Sequence, residues 1–197
     1  MSPGVTEPPA AALPPARVRA TTVRVRDHFV LARFGRTARE QYRAAASKGL
    51  LDTLTSTGDR WVDFAQFIEA TELVCKLFAE GDITMARDIG RFAAETNMGV
   101  WRSLVYRVLS PSTVLSIAGG LWSHHYDGGR LAVSPEGKHG VRVRIADFPT
   151  PHRTHCLSIE GWAQRTVELG RPRRVSVVET GCRLRGAPAC EMVVEWE

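Results

Sequence analysis

Four side chains with metal-binding chemistry lie in the last part of the chain: Cys156, Glu179, Cys182 and Cys190. The two later cysteines are symmetric about Gly186 in the stretch ETGCRLRGAPAC, so a hairpin that turns at this glycine brings them opposite each other. A helix that begins near Cys156 and packs on the hairpin would complete a set of three thiolates and one carboxylate, which suits tetrahedral zinc. Buried packing explains the spacing equally well, because free cysteines are common small core residues.

Other residues near this set are weaker candidates. His152 and His155 flank Cys156 and could replace a ligand, but their position is typical of an exposed loop and helix start. Cys75 lies in an apolar helical stripe and is expected to be a buried, inert thiol. The sequence has no Gly-rich phosphate loop and no nucleophile motif, so we predict no catalytic residues.

A second candidate site is an aromatic and polar set in the middle of the chain. Its core members are Trp101, Tyr106, Trp122 and His124, and the dipeptide 125–126 continues it. If these side chains face inward, they would line an apolar pocket with a few polar contacts, as small-molecule sites do. Tryptophans at helical spacing are also typical of core packing.

The elements that would position these residues read as helices first and paired strands later. Helical patterns cover residues 37–51, 59–82, 82–99, 111–129 and 154–170. Alternating patterns around turns predict a hairpin over 130–148 and a second hairpin made of 173–186 and 189–196. We therefore predict an α+β fold, with N-terminal helices packed on an antiparallel sheet that includes a C-terminal β-hairpin.

Composition and charge bound the class of protein. The chain has 197 residues, of which 44% are hydrophobic and 24% charged, with a net charge of +5. Residues 1–24 contain a Pro/Ala-rich, basic stretch that we expect to be a disordered leader, and residues 25–197 are expected to form one domain. No signal peptide or membrane span is evident, which predicts a cytoplasmic protein with reduced cysteines. No nucleic-acid-binding motif accompanies the basic leader.

The C-terminal pattern resembles a known domain family. Cys156, then Ile159-Glu160-Gly161, Glu179, Cys182, Gly186, Cys190 and Trp196 follow in the order of the 4-vinyl reductase domain, a relative of the heme-NO-binding domain and of vesicle-tethering subunits. The resemblance spans roughly residues 25–197, with its specific part in the last 45 or so. It implies a structural zinc ion on Cys156, Glu179, Cys182 and Cys190, with Glu179 or a water in the fourth position.

The upstream part is similar to standalone single-domain proteins that are abundant in myxobacteria, through Gly90-Arg91 and the stretch 127–131. A heme clamp of the form Tyr-x-Ser-x-Arg is missing after both Tyr106 and Tyr126, so the sequence argues against heme. Phenol sensors of the family carry effector domains after this one, whereas this sequence ends at Glu197.

Together these features predict a non-enzymatic sensor or adaptor domain that binds a small apolar or aromatic ligand. Its output is expected to pass through a homodimer or a partner protein. Two alternatives stay open: a ligand-free interaction module like the vesicle-tethering relatives, and an enzyme of tetrapyrrole or aromatic chemistry. An open metal position would favour the enzyme, and a closed cavity without polar groups would favour the module.

Overall fold

The structure is a computed structural model and describes residues 15–97 and 109–197. The helices, in chain order, are α1 (Ala20–Ala45), α2 (Lys48–Thr55), α3 (Phe64–Phe78), α4 (Met85–Asn97), α5 (Pro111–Gly120), α6 (Trp122–His125) and α7 (Arg153–Glu168). The strands are β1 (Arg17–Arg19), β2 (Trp61–Asp63), β3 (Arg130–Pro135), β4 (Gly140–Ala146), β5 (Val175–Gly181) and β6 (Cys190–Trp196). The predicted α+β class is confirmed.

Side-chain caps and one glycine set the limits of the N-terminal helices. Ser47 accepts a hydrogen bond from the backbone amide of Leu50 and starts α2, and Asp63 accepts one from Ala65 and starts α3. Inside α1, Gly35 has φ 88°, a value that is strained for residues with a Cβ, and the helix kinks there. The predicted helix over 37–51 therefore corresponds to the second half of α1 and part of α2.

The main sheet is antiparallel throughout, with the strand order β3-β4-β6-β5. Val141 and Val143 of β4 are buried and pair with Val194 and Met192 of β6, so one face of the sheet joins the core. β5 pairs with β6 through a register shift between Glu179 and Gly181, just before the turn that carries Cys182. Both hairpins predicted from the alternating patterns are present.

Helices α4 and α7 pack with their backbones almost touching. A Cβ atom on Gly90 would lie 1.9 Å from the carbonyl oxygen of Ser158, and one on Gly161 would lie 2.0 Å from that of Arg87. Only glycine permits this approach, which explains two glycines that the sequence patterns single out. The Arg87 guanidinium donates to Glu160 at 2.6 and 2.9 Å and fastens the two helices at one end.

Three predicted boundaries need correction. Residues 17–24, assigned to the leader, form β1 and the start of α1, where Val18 and Val23 are fully buried. Residues 1–14 lie outside the described part of the chain. The helix predicted over 59–82 is preceded by β2, because Trp61 and Val62 pair with β1, a contact distant in sequence. The helix predicted over 111–129 ends as two short helices, after which Tyr126 bridges to Val18.

One hydrophobic core joins the helices to the inner face of the sheet. It includes Phe64 and Phe67 of α3, Ile89 of α4 and Val194 of β6, all at most 1% exposed. Within the described ranges, no helix combines the length and the apolarity that crossing a membrane requires.

Candidate metal centre and ligand cavity

Three cysteine thiols converge where the first turn of α7 meets the β5–β6 hairpin. The Sγ atoms of Cys156, Cys182 and Cys190 all lie within 4.8 Å of one another, and those of Cys156 and Cys190 are 3.9 Å apart. Sulfur atoms at 2.3 Å from a tetrahedral metal ion would be about 3.8 Å apart, so small movements would let these three share an ion. A void of about 10 Å³ beside them is roughly the size of one water molecule.

The fourth predicted ligand, Glu179, lies beside the thiols but is held by arginines. Its Oε1 accepts a hydrogen bond from Arg185 at 2.7 Å, and its Oε2 accepts one from Arg153. Burial raises the pKa of Glu179, but the Arg153 hydrogen bond and the nearby positive charges outweigh it and lower the pKa below its ordinary value. Glu179 is thus ionised, and the structure leaves it outside the cluster of three thiols.

Of the two histidines beside Cys156, His152 has polar partners, whereas His155 is buried rather than exposed as predicted, and its Nε2 has no hydrogen-bond partner among the described residues. His152 contacts Thr154 at 2.9 Å through Nδ1, and its Nε2 lies 3.5 Å from Glu72. His155 is 3% exposed, and its ring lies 5.0 to 6.0 Å, between centroids, from five aromatic rings. Burial lowers the pKa of His155 to about 3, so the imidazole is neutral. Cys75 is also buried, as expected, and burial raises the pKa of its thiol to about 11.

The thiols of Cys156 and Cys190 interact directly, with their sulfur atoms 3.9 Å apart. Cys156 donates to the sulfur of Cys190, which lowers the pKa of Cys190 to about 6 and raises the pKa of Cys156. The backbone amide of Arg183 also points at Cys190 Sγ, at 3.5 Å. A thiolate is the form of cysteine that binds metal ions, so the cluster contains a ready ligand.

A larger cavity of about 470 Å³ lies between α1, α5, α6, α7 and the sheet. Its apolar wall includes Phe67, Leu121, Trp122, Ile159 and Trp162. Its polar groups include those of Thr22, Arg26, His125, Ser158 and Thr166. The size falls in the range of ligand pockets, and a mostly apolar lining with a few polar groups is typical of them.

The structure places only some of the residues that were predicted to line a pocket at the cavity. Trp122 lines the cavity, where its ring stacks on Tyr126 at 4.2 Å between centroids. His124 is exposed and does not reach the cavity, which corrects the prediction. Its neighbour His125 lines the wall instead, because one residue turns the side chain by about 100° around a helix. Trp101 and Tyr106 lie outside the described residues.

Sequence reasoning missed Arg26, the charged residue of the cavity wall. It is 1% exposed and donates to Thr71 Oγ1 at 3.1 Å, to the Thr22 carbonyl oxygen at 2.8 Å and to Ser158 Oγ at 3.3 Å. Its guanidinium carbon lies 3.7 Å from the centroid of the Phe67 ring. Its position, between buried Val23 and Phe29 at helical spacing, was the available signal.

Comparison with known proteins identifies the fold. No family model matches the chain, and no curated protein matches it. Solved H-NOX structures, in contrast, match most of the chain. A mutant protein from S. oneidensis in the Fe(II) state has a TM-score of 0.66 at 12% identity, with 90% of this chain and 95% of that chain covered. An unliganded Fe(II) point mutant from K. algicida has a TM-score of 0.66 at 8% identity, with coverages of 91% and 96%.

A third structure, titled as a study of heme distortion in the H-NOX family, has a TM-score of 0.66 at 11% identity, with coverages of 90% and 94%. Such low identity shows the shared fold alone. The chain thus shares the fold of the H-NOX structures, and its predicted relation to the heme-NO-binding superfamily stays a prediction. The expectation that heme is unlikely is contradicted, because the H-NOX structures that share this fold belong to a heme-containing family. The comparisons give no support to zinc, and relation to the 4-vinyl reductase domain stays a prediction.

Proposed function

We propose that this chain is a non-enzymatic sensor domain that binds a small, flat, largely apolar ligand in the cavity beside Trp122. The observation that carries the proposal is the cavity itself, about 470 Å³ in volume with Arg26, Ser158 and Thr166 on one wall. A ligand-free interaction module needs no such space and no inward polar groups.

Heme is the first candidate ligand, and the wall residues fit it in kind. His125 is a histidine with one ring nitrogen, Nδ1, at 3.0 Å from Thr22 Oγ1. Burial, followed by the neighbouring His124, lowers the pKa of His125, so its imidazole is neutral and able to bind iron. Arg26 would pair with a propionate carboxylate. A bound heme would supply an iron that takes up diatomic gases, while these side chains hold and orient it.

Titration of the purified protein with hemin tests this candidate. We expect a Soret band that saturates at an equimolar amount and shifts when the reduced complex meets nitric oxide. His125→Ala should weaken binding and alter the band, whereas His124→Ala, at the exposed neighbouring position, should change neither. A titration without saturation would exclude heme and leave the cavity to another aromatic ligand.

We further propose that Cys156, Cys182 and Cys190 bind one thiophilic metal ion, with a water rather than Glu179 in the fourth position. The convergence of three thiol sulfur atoms within 4.8 Å of one another supports the site. Such an ion would contribute to folding by joining α7 to the hairpin. Elemental analysis of untagged protein, purified under reducing conditions, should find about one transition-metal ion per chain. Protein without bound metal would leave the cysteines as packing residues.

We also propose that ligand binding is signalled through a homodimer or a partner protein. The proposed location is the reducing cytoplasm, where the thiols do not form disulfides. Ile117 of α5 and Leu121, which lies between α5 and α6, are exposed apolar side chains at the cavity, at 54% and 47%. Light scattering of the protein with and without hemin would report a change of oligomeric state. An unchanged monomer would assign the output to a partner protein.

A further inference from the structure

Arg26 is a buried cation that faces the proposed ligand cavity. Only 1% of the residue is exposed, and the cavity wall includes its side chain. Its hydrogen-bond partners, Thr71, the Thr22 carbonyl and Ser158, are all neutral. The Phe67 ring, 3.7 Å from the guanidinium carbon, offers a cation–π contact but no counter-charge.

No carboxylate in the described ranges pairs with this guanidinium. The adjacent Asp27 is also buried, but its two oxygens accept hydrogen bonds from Arg39 and Arg43 at 2.5 to 2.9 Å. Tyr126 is nearby, but burial raises its pKa to about 12, so it is neutral as well. Buried charges in folded proteins are almost always paired, because desolvation of a lone ion is costly.

The geometry leaves hydrogen-bonding capacity at the same wall. A guanidinium has five N–H donors, and the described residues accept hydrogen bonds from Nε, Nη1 and Nη2 of Arg26 through a single contact each. Thr166, which lines the cavity from α7, is 1% exposed and its hydroxyl has no partner among the described residues. The rest of the wall near these groups is aromatic or aliphatic, including Trp122 and Trp162.

We propose that the cavity selects ligands that join a carboxylate to a flat aromatic body, with the carboxylate paired to Arg26. The inference rests on the proposed function, since it assumes that the cavity is the ligand site. A carboxylate supplies the missing counter-charge and accepts the remaining guanidinium N–H groups, while the aromatic body covers Trp122. A porphyrin propionate and a free aromatic acid share this chemistry.

Paired probes that differ only in charge test the inference. The first arm compares 2-naphthoic acid with 2-naphthalenemethanol, and the second compares hemin with its dimethyl ester, by titration of the full chain. We expect the wild-type protein to bind at least one acid about 10- to 100-fold more tightly than its neutral partner, the usual value of a charge-assisted hydrogen bond. If the protein prefers the acid in only one arm, that arm shows whether the carboxylate belongs to a free aromatic acid or to a porphyrin.

Two arginine variants complete the test. Arg26→Gln should lose the preference for acids while binding of the neutral probes is kept. Arg33→Gln, at an exposed position of the same helix, should behave as wild type. Arg26→Lys keeps the charge and should retain part of the preference, with circular dichroism as the check on folding. If Arg26→Gln does not fold, the wild-type comparison of acid with neutral probe decides alone.

The outcomes distinguish a failure of the role of Arg26 from a failure of the cavity as a ligand site. Equal binding of acid and neutral probes, or an Arg26→Gln variant with an unchanged preference for acids, overturns the role of Arg26 but leaves the cavity as a ligand site. Failure of the wild-type protein to bind any of the four probes overturns both this inference and the proposed function.

Discussion

The glycine contact between α4 and α7 makes a quantitative prediction. In Gly90→Ala, the new Cβ would lie 1.9 Å from the Ser158 carbonyl oxygen and 3.0 Å from the Trp162 backbone nitrogen. Both neighbours belong to the backbone of a helix, so no side chain can rotate away. The two helices would have to separate by about 1.5 Å to restore ordinary van der Waals contact.

Two opposing effects set the magnitude. Alanine favours a helix interior by about 1 kcal/mol over glycine, whereas overpacking of a core contact typically costs about 1 to 3 kcal/mol and more where backbone must move. Separation would also stretch the 2.6 Å ion pair of Arg87 and Glu160. We expect a net loss of about 2 kcal/mol in the free energy of unfolding.

Urea denaturation followed by circular dichroism measures this change. With a slope of about 2 kcal/mol per molar urea, the midpoint should fall by about 1 M. Gly49→Ala in α2 is the matched control, because its Cβ would meet only the Gln66 side chain at 3.7 Å. The control should be neutral or slightly stabilising. A Gly90→Ala protein as stable as wild type would refute the close helix contact.

Three further changes have defined outcomes. Cys182→Ser should remove most of the bound metal and lower the thermal midpoint, whereas Cys75→Ser should leave the metal content unchanged; equal metal in both variants would contradict the site. Glu179→Gln should keep the metal, since arginines already occupy its oxygens, and loss of the ion would instead make Glu179 a ligand. Asp27→Asn should destabilise the protein by about 1 to 3 kcal/mol at pH 7. Burial raises the pKa of Asp27, but hydrogen bonds from Arg43 and Arg39 outweigh it and lower the pKa. The stability difference between wild type and variant is therefore present above about pH 4, and it should shrink as the pH falls through the lowered pKa of Asp27 in the folded protein. Urea midpoints of both proteins at pH 7 and pH 3 measure this change.

The C-terminal half was readable from the sequence because its signals are local. The alternating residues of 130–148 and the turn at Gly186 define both hairpins without reference to distant parts of the chain. The symmetry of Cys182 and Cys190 about that turn placed their thiols near each other, and the helix at Cys156 brought the third.

The parts that the sequence did not predict depend on distant contacts. Trp61 and Val62 become a strand only because β1 is available to pair with them. Arg153 donates a hydrogen bond to Glu179, which lies 26 residues away in the sequence, and no spacing rule predicts such a pairing. The polar wall of the cavity draws Arg26 from α1 and Thr166 from α7, and only the tertiary fold brings them together.

The close approach of Gly90 to the Ser158 backbone and of Gly161 to the Arg87 backbone also limits how the domain can move. Sliding α7 along α4 by a single residue would drive a side chain into the opposing backbone, so the one-turn ratchet by which some helices shift is closed to this pair. If the cavity binds the proposed ligand, we therefore expect α7, which carries Cys156 near one end and Thr166 near the other, to move together with α4 as one rigid pair of helices.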